Sequence, residues 1–172
     1  APGARPARVA YLPQHPVSTH TLPLRVSDVV AMGRFARHGL LGRLRADDFD
    51  AVDEAMSRTG ADSFRQRAVR DLSGGQQQRA HLAQVLARRA DVLLLDEPTA
   101  GLDIAGRRLV ADLVMQERER GATVVMATHE LGDADTADAA MLLAQRVVAQ
   151  GPPKVALSDA ALREVFGFTQ PH

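Results

Sequence analysis

The 172-residue sequence contains no cysteine and no tryptophan, and its one tyrosine is Tyr11. The absence of cysteine excludes disulfide bonds, thiolate metal sites and a cysteine nucleophile. The 21 basic and 21 acidic residues cancel, so the chain lacks the net positive charge with which nucleic-acid-binding domains attract phosphate. We therefore do not expect nucleic acid to be a partner.

Long apolar runs are also missing from the sequence. Stretches such as 92–95 and 139–144 are far shorter than the roughly 20 residues that a membrane-spanning helix requires. Apolar residues nevertheless make up 45% of the chain, which is enough for one sizeable core at this length. We expect a folded domain without a membrane-spanning segment.

Lysine is nearly absent, because 20 of the 21 basic residues are arginine and the only lysine is Lys154 in GPPKVAL. A nucleotide-binding P-loop, GxxxxGK[ST], requires a lysine directly after a glycine. The sequence therefore contains no P-loop. It starts as APGARPARVAY, without an initiator methionine or a signal-peptide pattern, so we expect the chain to be cut from something longer.

The first part of the chain combines one strand pattern with a helical block. ARVAYL, residues 7–12, predicts a buried strand that ends at Pro13. SDVVAMGR predicts a helix with Ser27 as N-cap and Asp28 in its first turn, ending near Gly33. Residues 46–59 predict a second helix, which is closed by Gly60.

From Ser73 onward, helix and strand patterns alternate. They predict helices at 74–89, 105–120 and 158–165, and strands at 92–95, 123–128, 140–143 and 146–149. The unbroken apolar character of VLLL and TVVMA is typical of strands covered on both faces, as in the parallel sheets of α/β domains. The predicted fold class is therefore α/β, with a largely parallel sheet.

The motif LSGGQQQR places Ser73, Gly74 and Gly75 at the start of a helix. Several backbone N–H groups are exposed there at the positive end of the helix dipole, which makes a phosphate-binding surface. SGG alone would more simply be an N-cap serine beside a flexible glycine pair. The complete octapeptide favours phosphate binding.

Two carboxylates follow the apolar strand in VLLLDEPTAGLD. Asp96 falls at the C-terminal end of the strand, where α/β sheets bind ligands and where a carboxylate can hold Mg²⁺ at a nucleotide. Glu97 comes next and can polarise a water for attack on phosphorus. DEP alone could be an ordinary acidic strand end before a proline turn, but the helix that begins in LSGGQQQR precedes it.

A third motif is ATHE, in which His129 follows the next strand and can contact a terminal phosphate. A lone histidine at a strand end is more often structural.

Together these motifs resemble the ATPase subunit of ATP-binding cassette (ABC) transporters, in the family's order and over essentially the whole chain. The resemblance implies an α/β P-loop NTPase core with an inserted α-helical subdomain. We expect this core to be N-terminally incomplete, because the sequence shows no Walker A loop, opening strands or adenine-stacking aromatic. Tyr11 is predicted to be a strand residue and is not assigned to adenine. The implied divisions are 1–23 (core strand and Q-loop), 24–72 (helical subdomain) and 73–172 (signature helix and remaining core).

The resemblance also implies ATP and Mg²⁺ as cofactors and gives each motif a role. Catalytic roles fall on Glu97, His129 and Gln14, and the Mg²⁺ of Mg-ATP falls to Asp96 and Gln14. The matching motifs are the Q-loop (Gln14), the signature (Ser73, Gly74, Gly75 and Gln76), Walker B (Asp96 and Glu97), the D-loop (Asp103) and the switch histidine (His129). The signature would act in trans, on a nucleotide that another subunit holds.

Within the family, LPLRVSDVVAMGR, GLLGRLRADD and the C-terminal segment look most like importers of zinc or manganese. This implies a membrane permease, a second ATPase subunit in a head-to-tail dimer, an indirect periplasmic or extracellular metal-binding protein, and a place at the cytoplasmic face of the membrane. Importers of iron-siderophore complexes, haem or cobalamin are the alternative, because they have similar segments. A non-transport ABC ATPase, as in DNA repair or translation, is a second alternative, against which the helical block argues.

The missing Walker A part leaves three interpretations open. The chain is a fragment of a longer protein, which we favour, or a truncated product without activity, or a partner that completes one site of a heterodimer. In each case we expect the isolated chain to be inactive in ATP hydrolysis. His15 and His20 lie in a proline-rich loop without a nearby carboxylate, so we expect solvated histidines there rather than a zinc site.

Overall fold

The computed structural model describes residues 9–14, 23–35, 38 and 43–167. The strands in this part of the chain are β1 (Val9–Leu12), β2 (Val92–Asp96), β3 (Thr123–Ala127), β4 (Ala140–Leu143) and β5 (Val147–Gly151). The helices are α1 (Val26–Phe35), α2 (Ala46–Thr59), α3 (Gly74–Ala87), α4 (Ile104–Glu119), α5 (Pro153–Ala156) and α6 (Asp159–Phe166). The chain divides into two compact units, of which the first ends at Ala127 and the second begins at Thr128.

The first unit contains a parallel sheet in the order β1-β2-β3, which confirms the predicted α/β class. The register pairs Leu12 with Leu95 and Asp96 with Ala127, so the three strands end at the same edge. On one face, alternate residues of β1 and β2 are buried with apolar residues of α3 and α4 in a common core. The polar residues at the ends of these strands therefore follow strand segments that are packed in the core on one face of the sheet.

The prediction that TVVMA is covered on both faces is wrong. Thr123, Val125 and Ala127 are exposed, and Val9 and Tyr11 are exposed on β1. The apolar run shows only that each side chain tolerates burial, whereas the actual burial depends on which face the helices cover. In this chain the helices cover one face of β3, and its alternate residues are half-buried.

The helical block packs against α3 through the apolar faces of α1 and α2. Helix α2 has the predicted bounds and ends at Gly60, which adopts the left-handed φ of +68°. Helix α1 differs from the prediction at both ends. It begins at Val26, before Ser27, because the Asp28 carboxylate accepts a hydrogen bond from the Arg25 N–H at 3.1 Å, and it continues past Gly33 to Phe35.

Gly33 is a packing residue rather than a helix end. A Cβ built at Gly33 would lie 2.2 Å from the carbonyl oxygen of Gln84, because α1 crosses α3 at this point. We expect Gly33→Ala to lower the free energy of unfolding by about 3 kcal/mol, since the two helices would have to separate. Urea unfolding followed by circular dichroism measures the loss. Gly132→Ala is the control, because nothing lies within 4 Å of a Cβ there, and equal stability of the two variants would contradict the packing role.

A buried ion pair joins the helical block to the C-terminal end of α3. Arg34 and Asp48 are both fully buried, and Arg34 Nε donates to Asp48 Oδ1 at 2.8 Å. Arg34 Nη1 also donates to the carbonyl oxygen of Ala87 at 2.8 Å. Asp48 Oδ2 accepts from the backbone N–H of Arg45 at 2.9 Å and contacts His38 Nε2 at 2.6 Å. The single carboxylate therefore connects α1, α2 and the segment between them.

The buried groups predict a stability that falls with acidification. Burial raises the pKa of the Asp48 carboxyl, but hydrogen bonds from Arg45, Arg34 and His38 outweigh burial and lower that pKa to about 2. Burial lowers the pKa of the His81 imidazole, which a hydrogen bond with Gln84 partly opposes. Both groups bind protons more readily in the unfolded chain, so stability is lost as pH falls below 6.5 for His81 and from about 4 towards 2 for Asp48.

Urea unfolding of wild type, Asp48→Asn and His81→Gln across this pH range separates the two contributions. The stability advantage of wild type over Asp48→Asn should shrink by about 2 kcal/mol as pH falls from 4 to 2. The advantage over His81→Gln should shrink as pH falls below 6.5. Differences that do not depend on pH would contradict this account of the two groups.

A second buried carboxylate joins α2 to α4. Glu117 is 2% exposed, and its two oxygens accept from Arg58 Nη1 at 2.7 Å and from Arg120 Nη2 at 2.6 Å. Arg120 also donates to the carbonyl oxygen of Ala90 at 2.7 Å. The helical block is thus tied to the first unit's sheet layer by charged groups as well as by apolar packing.

The second unit consists of a 3-10 turn (Leu131–Ala134), the antiparallel pair β4-β5 and the helices α5 and α6. Strand β4 has the predicted bounds, and β5 begins one residue later than predicted. The sequence prediction missed α5, a single turn that begins at Pro153, where proline's fixed φ suits a helix start. Among the described residues, no helix is long and apolar enough to cross a membrane.

Candidate functional site

The C-terminal edge of the parallel sheet carries Asp96 and Glu97. Asp96 is the last residue of β2, and the Glu97 N–H donates to the carbonyl oxygen of Ala127, at the end of β3, at 2.8 Å. Glu97 adopts a φ of +47°, in the left-handed region that non-glycine residues seldom occupy. Strained backbone of this kind is concentrated at functional sites, where the surrounding contacts maintain it.

Gln14 lies against Glu97. Its Nε2 donates to Glu97 Oε2 at 2.7 Å, across 83 residues of sequence, because β1 and β2 are neighbouring parallel strands with a common edge. Tyr11, three residues earlier, donates from its hydroxyl to Asp96 Oδ2 at 3.4 Å. The structure therefore brings three predicted residues, Gln14, Asp96 and Glu97, into one group. It also adds Tyr11, which sequence reasoning placed on the strand without a role.

The signature segment begins α3 with a reciprocal capping arrangement. Ser73 Oγ accepts from the Gln76 N–H at 3.4 Å, and Gln76 Oε1 accepts from the Ser73 N–H at 3.1 Å. Ser73 and Gly74 are exposed, and nothing lies within 4 Å of a Cβ built at Gly74. The first turn of this 14-residue helix thus presents backbone amides to the surroundings.

Asp103 is the N-cap of α4. Its Oδ1 accepts from the Gly106 N–H at 2.7 Å, which orders the end of the loop that follows Glu97. This loop also meets the signature helix, because a Cβ built at Gly75 would lie 3.6 Å from Leu102 Cδ2. The signature and D-loop segments are therefore in contact within the first unit.

His129 belongs to the second unit. Its side chain is exposed, and its Nε2 lies 3.9 Å from Glu130 Oε1. The predicted role of His129 beside the carboxylates stays a prediction. His15 and His20 lie outside the described residues.

Gln78 is a residue of the site region that sequence reasoning missed. Its side chain is 9% exposed, and its Nε2 donates to the carbonyl oxygen of Pro98, the residue after Glu97, at 3.0 Å. The signal was the third glutamine of LSGGQQQR. Its position two residues beyond Gln76 turns it away from the exposed helix start and towards the sheet.

The carboxylate of Asp96 and the side-chain amide of Gln14 are oxygen donors at one edge of the sheet. Mg²⁺ prefers such ligands and is usually bound by one or two of them together with nucleotide phosphates. This donor set therefore fits Mg²⁺. No pattern of glycine followed by lysine occurs in the sequence, so the chain itself offers no P-loop for the phosphates.

Comparison with known proteins identifies the family. The family model for ABC transporters matches residues 3–100. The manganese transport system ATP-binding protein MntB of Bacillus subtilis is 37% identical over 161 residues, which cover 93% of this chain and 64% of that protein. The chelated iron transport system protein YfeB of Yersinia pestis is 33% identical over 95% of this chain and 56% of its own length.

A solved structure shows the same fold. A transporter described as of the metal-chelate type, in an inward-facing conformation, matches with a TM-score of 0.82 and 27% identity over 93% of this chain and 64% of that one. The chain therefore spans between 56% and 64% of the length of these relatives. Its parallel sheet, inserted helices and motif order agree with the predicted P-loop NTPase class. This chain belongs to the ABC transporter family.

Proposed function

We propose that this chain is part of the ATP-binding and ATP-hydrolysing subunit of an ABC importer for a transition-metal ion, zinc or manganese. The observation that carries the proposal is the group at the sheet edge, where Gln14 is bonded to Glu97 beside Asp96. Glu97 is proposed to polarise the attacking water, because its carboxylate follows the residue that would hold the metal. His129 is proposed to contact the terminal phosphate.

Mg²⁺ would be held by Asp96 and Gln14, and it would neutralise charge on the phosphates of ATP during transfer. The residues of the chain do the remaining work of binding and orienting. The hydrogen bond to Ala127 holds the backbone of Glu97 in position, and the hydrogen bond from Gln14 orients the Glu97 carboxylate.

The signature residues Ser73 to Gln76 are proposed to bind the γ-phosphate of an ATP that a second ATPase subunit holds. In such a head-to-tail dimer, each nucleotide would lie between two different surfaces, the Walker A loop of one subunit and the signature of the other. Asp103 would lie at the same interface, because its loop contacts the first turn of α3. Since this chain has no lysine after a glycine, we propose that it does not hydrolyse ATP alone.

The remaining partners are a membrane permease, docked on the Q-loop and the helical block, and a periplasmic or extracellular metal-binding protein that delivers the ion to that permease. With these partners, the chain is proposed to act at the cytoplasmic face of the membrane. Support for the docking surface comes from Phe49, an apolar side chain of α2 that is 54% exposed. Phe49→Ser should lower the yield of co-purified permease, whereas Val155→Ser, at a 60% exposed residue outside the block, should not. Equal yields would contradict this docking surface.

The cargo is proposed from the relatives. A manganese system and a chelated-iron system both match over nearly the whole chain, so iron-chelate import is the second candidate. Deletion of the gene should lower cellular manganese or zinc under metal limitation, and the wild-type gene should restore it while Glu97→Gln should not. A defect confined to chelated iron would support the second candidate, and unchanged content of all three metals would contradict import.

A further inference from the structure

Gln78, on the signature helix α3, faces the loop that begins at Glu97, which we call the catalytic loop. It is buried, and its Nε2 donates to the carbonyl oxygen of Pro98 at 3.0 Å. Its neighbour Gln77 has the same chemistry but points elsewhere, because Gln77 Nε2 donates to the carbonyl oxygens of Val69 and Leu72 at 3.2 and 3.3 Å. The two glutamines therefore form a matched pair, one bonded to the catalytic loop and one to the segment before the signature.

The loop that Gln78 contacts begins in an unfavourable conformation. Glu97 has a φ of +47°, and Pro98 directly after it is fully buried. The Glu97 N–H donates to Ala127 of β3, and the Glu97 carbonyl oxygen accepts from the Ala100 N–H at 3.1 Å. A left-handed non-glycine residue persists only where neighbouring contacts hold it. Gln78 provides such a contact from a different element than β3 does.

We propose that Gln78 is a positioning residue, which holds the Glu97 turn in place and ties it to the helix that starts with the signature. Both residues of this hydrogen bond are close in sequence to a proposed site residue: Gln78 is two residues from Gln76, and Pro98 is next to Glu97. If the first turn of α3 moves when it binds another subunit's nucleotide, this hydrogen bond would then shift the catalytic carboxylate of this chain. This role rests on the proposed ATPase function.

The side-chain chemistry explains why a glutamine is required. A buried carbonyl oxygen needs a donor, and the amide N–H₂ supplies one without a charge. A methionine of similar length fills the space but cannot donate, so it would leave the Pro98 carbonyl unsatisfied. A glutamate keeps the shape but places an acceptor against an acceptor.

Hydrogen exchange on the 172-residue chain tests the structural step without any nucleotide. In Gln78→Met, the amides of Glu97, Ala100 and Leu102 should exchange about tenfold faster, because one buried hydrogen bond to the loop is lost. Gln77→Met should leave these amides unchanged. If Gln78→Met does not fold by circular dichroism, Gln78→Glu replaces it. Exchange at the wild-type rate in the folded variant overturns the proposal.

Steady-state ATP hydrolysis by the protein expressed from its full coding sequence tests the positioning role. Gln78→Met should lower kcat about tenfold with KM for ATP unchanged, because Glu97 is misplaced while nucleotide binding is kept. A wild-type kcat in a variant with faster loop exchange overturns the role. Absence of hydrolysis in the wild-type protein would count against the proposed function, and loop exchange would still decide whether Gln78 holds the turn.

Discussion

Replacement of Glu97 by glutamine is expected to lower kcat for ATP hydrolysis by about 10³-fold in the protein expressed from its full coding sequence. The amide cannot accept a proton from water, whereas Asp96 and Gln14, the proposed Mg²⁺ ligands, are unchanged. ATP binding should therefore persist, and the protein should accumulate as a dimer loaded with Mg-ATP. Size exclusion with and without Mg-ATP measures the dimer, and phosphate release measures kcat.

Asp96→Asn is the contrasting variant. It should weaken the proposed Mg²⁺ site itself, so that hydrolysis is lost without accumulation of the nucleotide-loaded dimer. The two substitutions are isosteric and adjacent, which separates the role of each carboxylate from general damage to the sheet edge. Wild-type turnover in either variant would contradict the assignment of the two residues.

The second large effect is expected in trans. A full-length ABC cassette with an intact Walker A loop and a disabled signature should hydrolyse little ATP alone, and this chain alone should be no faster than background. When mixed, they should regain activity, because Ser73 and the amides of Gly74 and Gly75 are proposed to cap the γ-phosphate that the other subunit holds. Circular dichroism and size exclusion must first show that the chain is folded and not aggregated.

Gly75→Asp should abolish this recovery of activity. A Cβ at Gly75 meets only Leu102 Cδ2 at 3.6 Å, an ordinary contact, so the aspartate fits and acts through its charge on the phosphate. Gly75→Asn has the same size without the charge and should retain more activity than Gly75→Asp. A folded wild-type chain that gives no recovery would contradict action in trans.

Local patterns predicted several elements closely because they depend on few contacts. The bounds of α2 follow from the spacing of its apolar residues and from Gly60, whose positive φ ends the helix. This helix end does not depend on how the helical block packs. The placement of Asp96 follows from the apolar strand before it. These features are determined by five to fourteen consecutive residues, so they can be predicted from the sequence alone.

Other features depend on contacts between distant segments. Gly33 resembles a helix end, but it is the point where α1 crosses the backbone of α3. The exposed face of β3 could not be inferred from TVVMA, since burial is decided by the helices that pack on the sheet. The hydrogen bond between Gln14 and Glu97 likewise depends on the parallel register of β1 and β2, and the left-handed Glu97 is bonded through its backbone N–H to Ala127 of β3; no single motif contains these contacts.

Hydrogen exchange at the start of α3 measures nucleotide binding by the signature most directly. The chain is mixed with a cassette that has an intact Walker A loop and cannot hydrolyse ATP, with and without Mg-ATP. The amides of Gly74, Gly75 and Gln76 should become protected only when both Mg-ATP and the cassette are present, and Gly75→Asp should prevent this protection. Unchanged exchange at these three amides, in a folded chain with the nucleotide-loaded cassette in excess, would contradict the proposed role of the signature helix.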